Sequence, residues 1–120
     1  SRGTASFGWT LQITAGNQLT WIVNSNTTLK TSSTTIAANT WTYFAVSRTG
    51  TTGYMFINGT QEGSSYTDNT NYNQTTGMFI GSDRTQANGL NGYLDDIRIT
   101  TGICRYTGSF SAPTTTFPTS

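Results

Sequence analysis

Asn58 and Gly59 stand between YMFI (residues 54–57) and TQEG (residues 60–63). A two-residue type I′ turn needs two successive residues at positive φ, and Asn-Gly supplies them at least cost. The pair therefore predicts a β-hairpin whose return strand opens at Thr60. It also accounts for Asn58 without a glycan. The other N-x-Thr sequons, at Asn26 and Asn73, are expected by chance in a chain this rich in Asn and Thr.

The rest of the chain repeats the same period. In GWTLQIT (8–14), Trp9, Leu11 and Ile13 share one face, and in LTWIV (19–23) Leu19, Trp21 and Val23 are in phase. With AGNQ as the turn, these two segments predict a hairpin with its aromatics inward. LKTSSTTI (29–36) reads as a polar edge strand. WTYFAVSR (41–48) is the most apolar strand and is expected at a sheet centre. SSYTDNTNYNQTT (64–76) is expected as a long polar loop. GMFIG (77–81) reads as a short buried strand, SDRTQANGLNG as another loop, and YLDDIRIT (93–100) as a further strand. SAPTTTFPTS has two prolines and no period, as an extended lead-out would. No segment carries a helical repeat, so a sandwich or barrel is expected.

Composition separates this reading from disorder. Only 9% of the 120 residues are charged, which a disordered chain could share, but 12% are aromatic and β-branched residues are plentiful. The six basic residues are scattered singly, so no patch for phosphate contacts is visible. No apolar run approaches a membrane span. The chain opens on Ser1, and residues 1–9 read like the middle of a hairpin, so a processed chain or a piece of a longer one is expected.

The chemistry-bearing residues are few. LDDIRITTGICRYTGSF (94–110) concentrates two carboxylates, two arginines and the one cysteine. On a strand, Asp95 and Asp96 point to opposite faces and cannot flank one glycosidic bond. Asp96 and Arg98 share a face and are expected to brace the structure. The chain has no histidine, so Cys104 and the serines lack a base, and Cys104 is expected to be a small hydrophobe. Two loops hold the more interesting groups: Tyr66, Asp68, Asn69, Asn71, Tyr72 and Asn73 in one, Asp83, Arg84, Gln86 and Asn88 in the other. Aromatic faces stack on sugar rings while amides, carboxylates and guanidinium bond their hydroxyls. Tyr66, Asp68, Asn71, Tyr72, Asp83, Arg84 and Asn88 are accordingly the candidate carbohydrate site. Asp68, Asp83 and Asp95 are weak candidates for a Ca2+ site, and no other cofactor is expected. The plain alternative is that such loops simply connect strands or meet other subunits.

Trp41 opening a strand that ends at Arg48, the Asn58-Gly59 turn, Ile80-Gly81, Gly92-Tyr93-Leu94-Asp95-Asp96 with Arg98, and Arg105-Tyr106 followed by Phe110 and Pro113 form a combination. It resembles the laminin-G-like, concanavalin-A-like domains of bacteriophage structural proteins and adhesins. The resemblance implies an all-β, antiparallel two-sheet jelly-roll β-sandwich over residues 1–112, with its N-terminal strands lacking and a lead-out over 113–120. It implies that Trp41, Asn58, Gly59, Asp96, Arg98, Arg105, Tyr106 and Phe110 are scaffold, making 94–110 a strut. It further implies a non-enzymatic virion module on a particle surface or outside the cell, serving assembly or host-surface attachment. Other virion or fibre subunits, and host-surface glycans, would be its partners in an oligomeric assembly, without nucleic acid or membrane insertion. The alternative is a lectin module, calcium-dependent or not. Glycoside hydrolysis stands behind both, for want of paired acids.

Overall fold

The structure is a computed structural model that describes residues 8–24, 26–72, 78–82 and 86–114. The described residues contain no helix. They form two antiparallel sheets: β1 (Trp9–Ile13), β2 (Gln18–Val23) and β3 (Thr27–Thr35) in one, and β4 (Phe44–Thr49), β5 (Thr52–Ile57), β6 (Thr60–Gln61) and β7 (Tyr66–Thr67) in the other. The expected two-sheet, all-β architecture is present.

Each tight connection uses the residue its backbone demands. Asn58 and Gly59 both take positive φ, 51° and 82°, and the ladder closes at Ile57 opposite Thr60. The Asn58 side chain also accepts the Tyr43 amide at 3.0 Å, while its own amide donates to the Tyr43 carbonyl at 2.7 Å. The turn before β2 places Asn17 at φ 59°, and the Thr14 amide donates to the Gln18 carbonyl.

The core lies between the sheets. Leu19, Trp21 and Val23, the in-phase residues of β2, meet Met55 and Ile57 of β5, with Leu11, Leu29, Ile36, Phe44, Val46 and Tyr66 around them. The opposite face of β5 is covered too. Phe56 has no exposed surface; its ring meets those of Tyr106 at 6.0 Å and Phe110 at 5.2 Å, and those two stack on each other at 3.6 Å. The 106–110 segment is pinned there by hydrogen bonds from the Phe110 amide to the Gly59 carbonyl, from the Gln61 amide to Ser109 Oγ, and from Ser47 Oγ to the Tyr106 carbonyl.

β3 is an edge strand among the described strands, as its polarity led one to expect, but it is bulged. Between the pairs Gln18–Thr35 and Thr20–Thr31, β3 carries two more residues than β2. The backbone groups freed from the ladder need other partners. Glu62, buried just after β6, accepts from the amide and hydroxyl of both Ser33 and Thr34 at 2.7–3.0 Å. Burial pushes the Glu62 carboxyl up, but the bonds from Thr34 and Ser33 outweigh it and hold it below its ordinary value. The buried Ser32 hydroxyl accepts the Leu19 amide. One carboxylate thus ties the edge of one sheet to the other.

Four expectations differ. The central strand of the second sheet is β5, which pairs with β4 on one side and with β6 and β7 on the other; β4 pairs with β5 alone among the described strands. The apolar residues of 41–48 misled because they cover β5 only from one side, and Trp41, expected to open the strand, is 72% exposed and precedes it. The polar 64–76 segment is not all loop: Tyr66 and Thr67 pair with Gly53 and Thr52. Met78, Phe79 and Ile80 are exposed and form no strand, because Gly81 turns to φ 83° and spends its carbonyl on the Leu90 amide, closing a loop instead of a ladder. Residues 93–100 are not a strand either. Asp96 sits at φ 56°, which breaks the two-residue alternation, and Tyr93 is 88% exposed.

The Tyr66 strand is held by a glycine. The Tyr66 ring lies flat on Gly53, its cross-strand partner, so closely that a Cβ there would overlap the ring. Gly53→Ala is therefore expected to cost about 2 kcal/mol by forcing the ring off its rotamer, measured by denaturant unfolding. A change below ~0.5 kcal/mol would show that the ring gives way freely.

Candidate functional site

Trp9 and Trp21 are diagonal neighbours across the β1–β2 ladder, since Trp9 opposes Val23 and Leu11 opposes Trp21. Diagonal pairs are within reach of large rings, and the two indoles stack at 5.0 Å with 22° between their planes. Both were expected inward. Trp21 is buried, but β1 is an edge strand among the described strands and Trp9 stays 37% exposed. Tyr72, 36% exposed, meets Trp21 edge-on at 6.4 Å. The Arg48 guanidinium lies 5.0 Å from the Tyr72 ring centre, within cation–π distance.

Asp68 joins these groups from below. It is fully buried, and its amide donates to the Thr51 carbonyl at 2.8 Å, which fixes the chain leaving β7. Its Oδ1 accepts the Thr70 amide at 3.1 Å and faces Arg48 Nη1 at 3.4 Å. Its Oδ2 accepts Trp21 Nε1 at 3.3 Å and the Tyr72 hydroxyl. Arg48 is anchored in turn, with Nε donating to the Gly50 carbonyl at 2.9 Å and Nη1 to the Thr70 carbonyl at 2.7 Å.

Burial raises the Asp68 carboxyl, yet the bonds from Tyr72, Thr70 and Trp21 overcome it and hold its pKa below the ordinary value. Tyr72 moves the other way: burial, and then its bond to Asp68, push it up to about 12. Burial, with the nearby Asp68 charge second, likewise raises Tyr66. The Tyr66 hydroxyl is buried and has no hydrogen-bond partner among the described residues.

The candidate residues therefore divide. Asp68 and Tyr72 belong to one cluster, with Asn71 exposed beside them, while the Tyr66 ring faces inward over Gly53. Asn88 lies in the separate loop that Leu90 closes onto Gly81, and it is exposed. Asp83 and Arg84 lie outside the described residues. As a cation ligand Asp68 is badly placed, because both oxygens face donors and one faces a guanidinium. Asp95 is exposed, and the described residues contain no group of three or more potential metal ligands. Ca2+ therefore does not fit Asp68 in this arrangement, and Asp83 lies outside the described residues.

Sequence reading missed Trp9 and Arg48. The alternation that marks Trp9 as inward-facing carries no record of which strand lies at the edge. Arg48 reads only as the end of an apolar strand.

Among the scaffold candidates, Tyr106 and Phe110 cover Phe56 as described. Cys104 is a partly buried free thiol that donates to the Tyr106 carbonyl at 3.4 Å. Burial, followed by a hydrogen bond with Tyr106, raises the Tyr43 phenol, with the Arg98 charge acting the other way. Asp96 and Arg98 are both engaged, though not as a same-face strand pair. Arg105 is exposed, its Nε donating to Thr100 Oγ1 at 3.4 Å.

Two packed antiparallel sheets define a β-sandwich. A laminin G family model, described as the concanavalin A-like lectin/glucanases superfamily, matches residues 1–103, and the chain belongs to this superfamily. No curated protein and no solved structure matches it.

Proposed function

We propose that this chain is a non-enzymatic adhesion module that holds carbohydrate on the ledge formed by Trp9, Tyr72 and Arg48. The observation that carries the reading is the paired exposure of Trp9 and Tyr72, two rings braced from behind by Trp21 and left open to solvent. Ring faces of this kind stack on the apolar face of a sugar, and the exposed Asn69 and Asn71 amides supply hydrogen bonds at its margin.

The carboxylates support the non-enzymatic part. A general acid at neutral pH needs a raised pKa. Asp68 and Glu62 are both held below theirs by hydrogen bonds to the protein itself. The setting we propose is the surface of a phage or phage-like particle, which rests on the likeness of the 41–118 motifs to domains of such particles. There the module would serve host-surface attachment.

A second reading, an assembly contact with other virion or fibre subunits, is favoured by a different observation: Met78, Phe79, Ile80, Ile97, Ile99 and Ile103 are all exposed.

Screening the chain on a broad glycan array, beside Trp9→Ala, separates the two. Attachment predicts at least one bound glycan and about tenfold weaker binding by the variant, since removing the ring forfeits its buried area and its stacking, the latter ~0.5–1.5 kcal/mol between rings. A blank array, with the chain self-associating in sedimentation, would move the assembly reading to first place.

A further inference from the structure

We infer that Asn91-Gly92 is a site of spontaneous deamidation, with Asn88-Gly89 behind it, and that the fold shields the remaining Asn-Gly pair, Asn58-Gly59. This stands apart from the carbohydrate and assembly readings.

The chemistry belongs to the backbone. The amide nitrogen of the residue after an asparagine attacks the side-chain carbon Cγ. A new C–N bond closes a five-membered succinimide as the Cγ–Nδ2 bond breaks, and ammonia leaves with the proton that the backbone amide gives up. Water then opens the ring at either carbonyl, giving aspartate or isoaspartate. Glycine in the following position removes the Cβ that hinders this approach and lets the backbone turn to meet it. The chain has Asn-Gly at 58–59, 88–89 and 91–92.

The dipeptide is the same each time, so the sequence ranks the three alike; the structure separates them. Asn91 and Gly92 are both exposed at a bend, and a Cβ placed on Gly92 would meet nothing within 4 Å. The peptide there has room to swing toward Cγ. Asn88 and Gly89 are exposed as well, and a Cβ on Gly89 would meet only the Gly81 carbonyl, at 4.0 Å. Asn88 is engaged by a neighbour, however, and the Leu90 amide ties the loop to the Gly81 carbonyl at 2.7 Å. Asn88 therefore follows Asn91.

Asn58 is exposed too, so burial of the asparagine is not what shields it. Its Oδ1 accepts the Tyr43 amide at 3.0 Å and its own amide donates to the Tyr43 carbonyl at 2.7 Å, which fixes the carboxamide. Gly59 is buried, its carbonyl accepts the Phe110 amide, and a Cβ on it would overlap the Phe110 carbonyl. The Gly59 nitrogen reaches Cγ only when the turn opens and the 106–110 segment lifts. A reaction that must wait for local opening is slowed by the free energy of that opening.

Each event replaces a neutral amide by a carboxylate. Conversion of Asn91 and Asn88 takes the formal net charge from +1 to −1 and places the two new charges on either side of the exposed Leu90.

The test incubates the full chain at mildly alkaline pH, folded and in guanidinium chloride, and follows each site by peptide mass spectrometry with fragmentation. In the folded chain Asn91 is expected to convert first and Asn88 next, with Asn58 at least ~10-fold slower than Asn91. In denaturant the three rates should converge to within ~3-fold, because only the fold distinguishes them. Gly92→Ala should slow Asn91 alone. Phe110→Ala should speed Asn58 and leave Asn91 unchanged; if that variant does not fold, the comparison of folded and denatured native chain still decides. Conversion of Asn58 in the folded chain at the rate of Asn91, or a rate gap that persists in denaturant, would overturn the shielding. Asn91 intact in the folded chain while it converts in denaturant would overturn the open site.

Discussion

Gly59→Ala is expected to destabilise the protein by about 3 kcal/mol and to release the 106–110 segment from the sheet. Two independent costs combine. Gly59 sits at φ 82°, where a Cβ is strained by about 1 kcal/mol. A Cβ there would also overlap the Phe110 carbonyl and crowd the Ala112 amide at 3.1 Å. The segment must then move, and with it go the Phe110 amide bond to Gly59 and the Tyr106 and Phe110 cover over Phe56. Denaturant unfolding gives the energy, and near-ultraviolet circular dichroism reports the loss of the stacked rings. Asn58→Gly is the control: it accepts positive φ freely and loses only the Tyr43 contact, so its cost should stay near 1 kcal/mol. If the two variants behave alike, the turn geometry matters and the docked segment does not.

Asp68→Ala is expected to cost about 4 kcal/mol, because it strands Trp21 Nε1, the Thr70 amide and a guanidinium that faced a buried carboxylate. Trp21 fluorescence should shift as its indole loses its acceptor. Asp68→Asn keeps the shape and one acceptor oxygen, and should cost about half as much. The same carboxylate links stability to pH. Its folded pKa lies below its ordinary 3.8, and that of Glu62 lies below 4.5. A group depressed in the folded state contributes its full stability above its unfolded pKa. It loses that contribution as pH falls through the folded value. Urea midpoints should therefore hold steady from about pH 7 to 5 and fall from there toward about pH 2. Asp68→Asn should be less stable at neutral pH and show a shallower fall. An equally steep fall would assign the acid sensitivity to Glu62 alone.

Much of the fold was legible because it is local. The β5–β6 hairpin, the β1–β2 hairpin and the polar β3 edge each follow from residues within a few positions of one another: Asn58-Gly59, the Trp9, Leu11, Ile13 alternation, and the polar 29–36 run. Where the reading failed, a non-local partner decided. GMFIG and YLDDIRIT have the composition of strands, but a strand needs an edge to pair with, and Gly81 and Asp96 turn the backbone away at positive φ. The apolar 41–48 run was placed at a sheet centre on hydrophobicity, whereas centrality depends on how many neighbours a strand pairs with. β5 has them.

The candidate site divides in the same way. Tyr72 and Asp68 were recognisable by residue type within one loop, but their roles were not: Asp68 is an internal brace and Tyr72 a surface ring. Trp9 and Arg48, the other two walls of the ledge, lie far from that loop in the chain. By itself the sequence determined an all-β chain with no histidine chemistry, a type I′ turn at Asn58-Gly59 and a supply of aromatic and amide side chains. Each of these rests on backbone preference or side-chain inventory, which need no knowledge of the rest of the molecule. Only the tertiary structure decided that Trp9 lies over Trp21 on a strand that is an edge among the described strands, that Asp68 spends its charge on Trp21, Thr70, Tyr72 and Arg48, and that the Arg48 guanidinium lies against the Tyr72 ring. Those are consequences of which strands pair and which side chains compete for the same donors, and such competition is settled only when distant segments pack together.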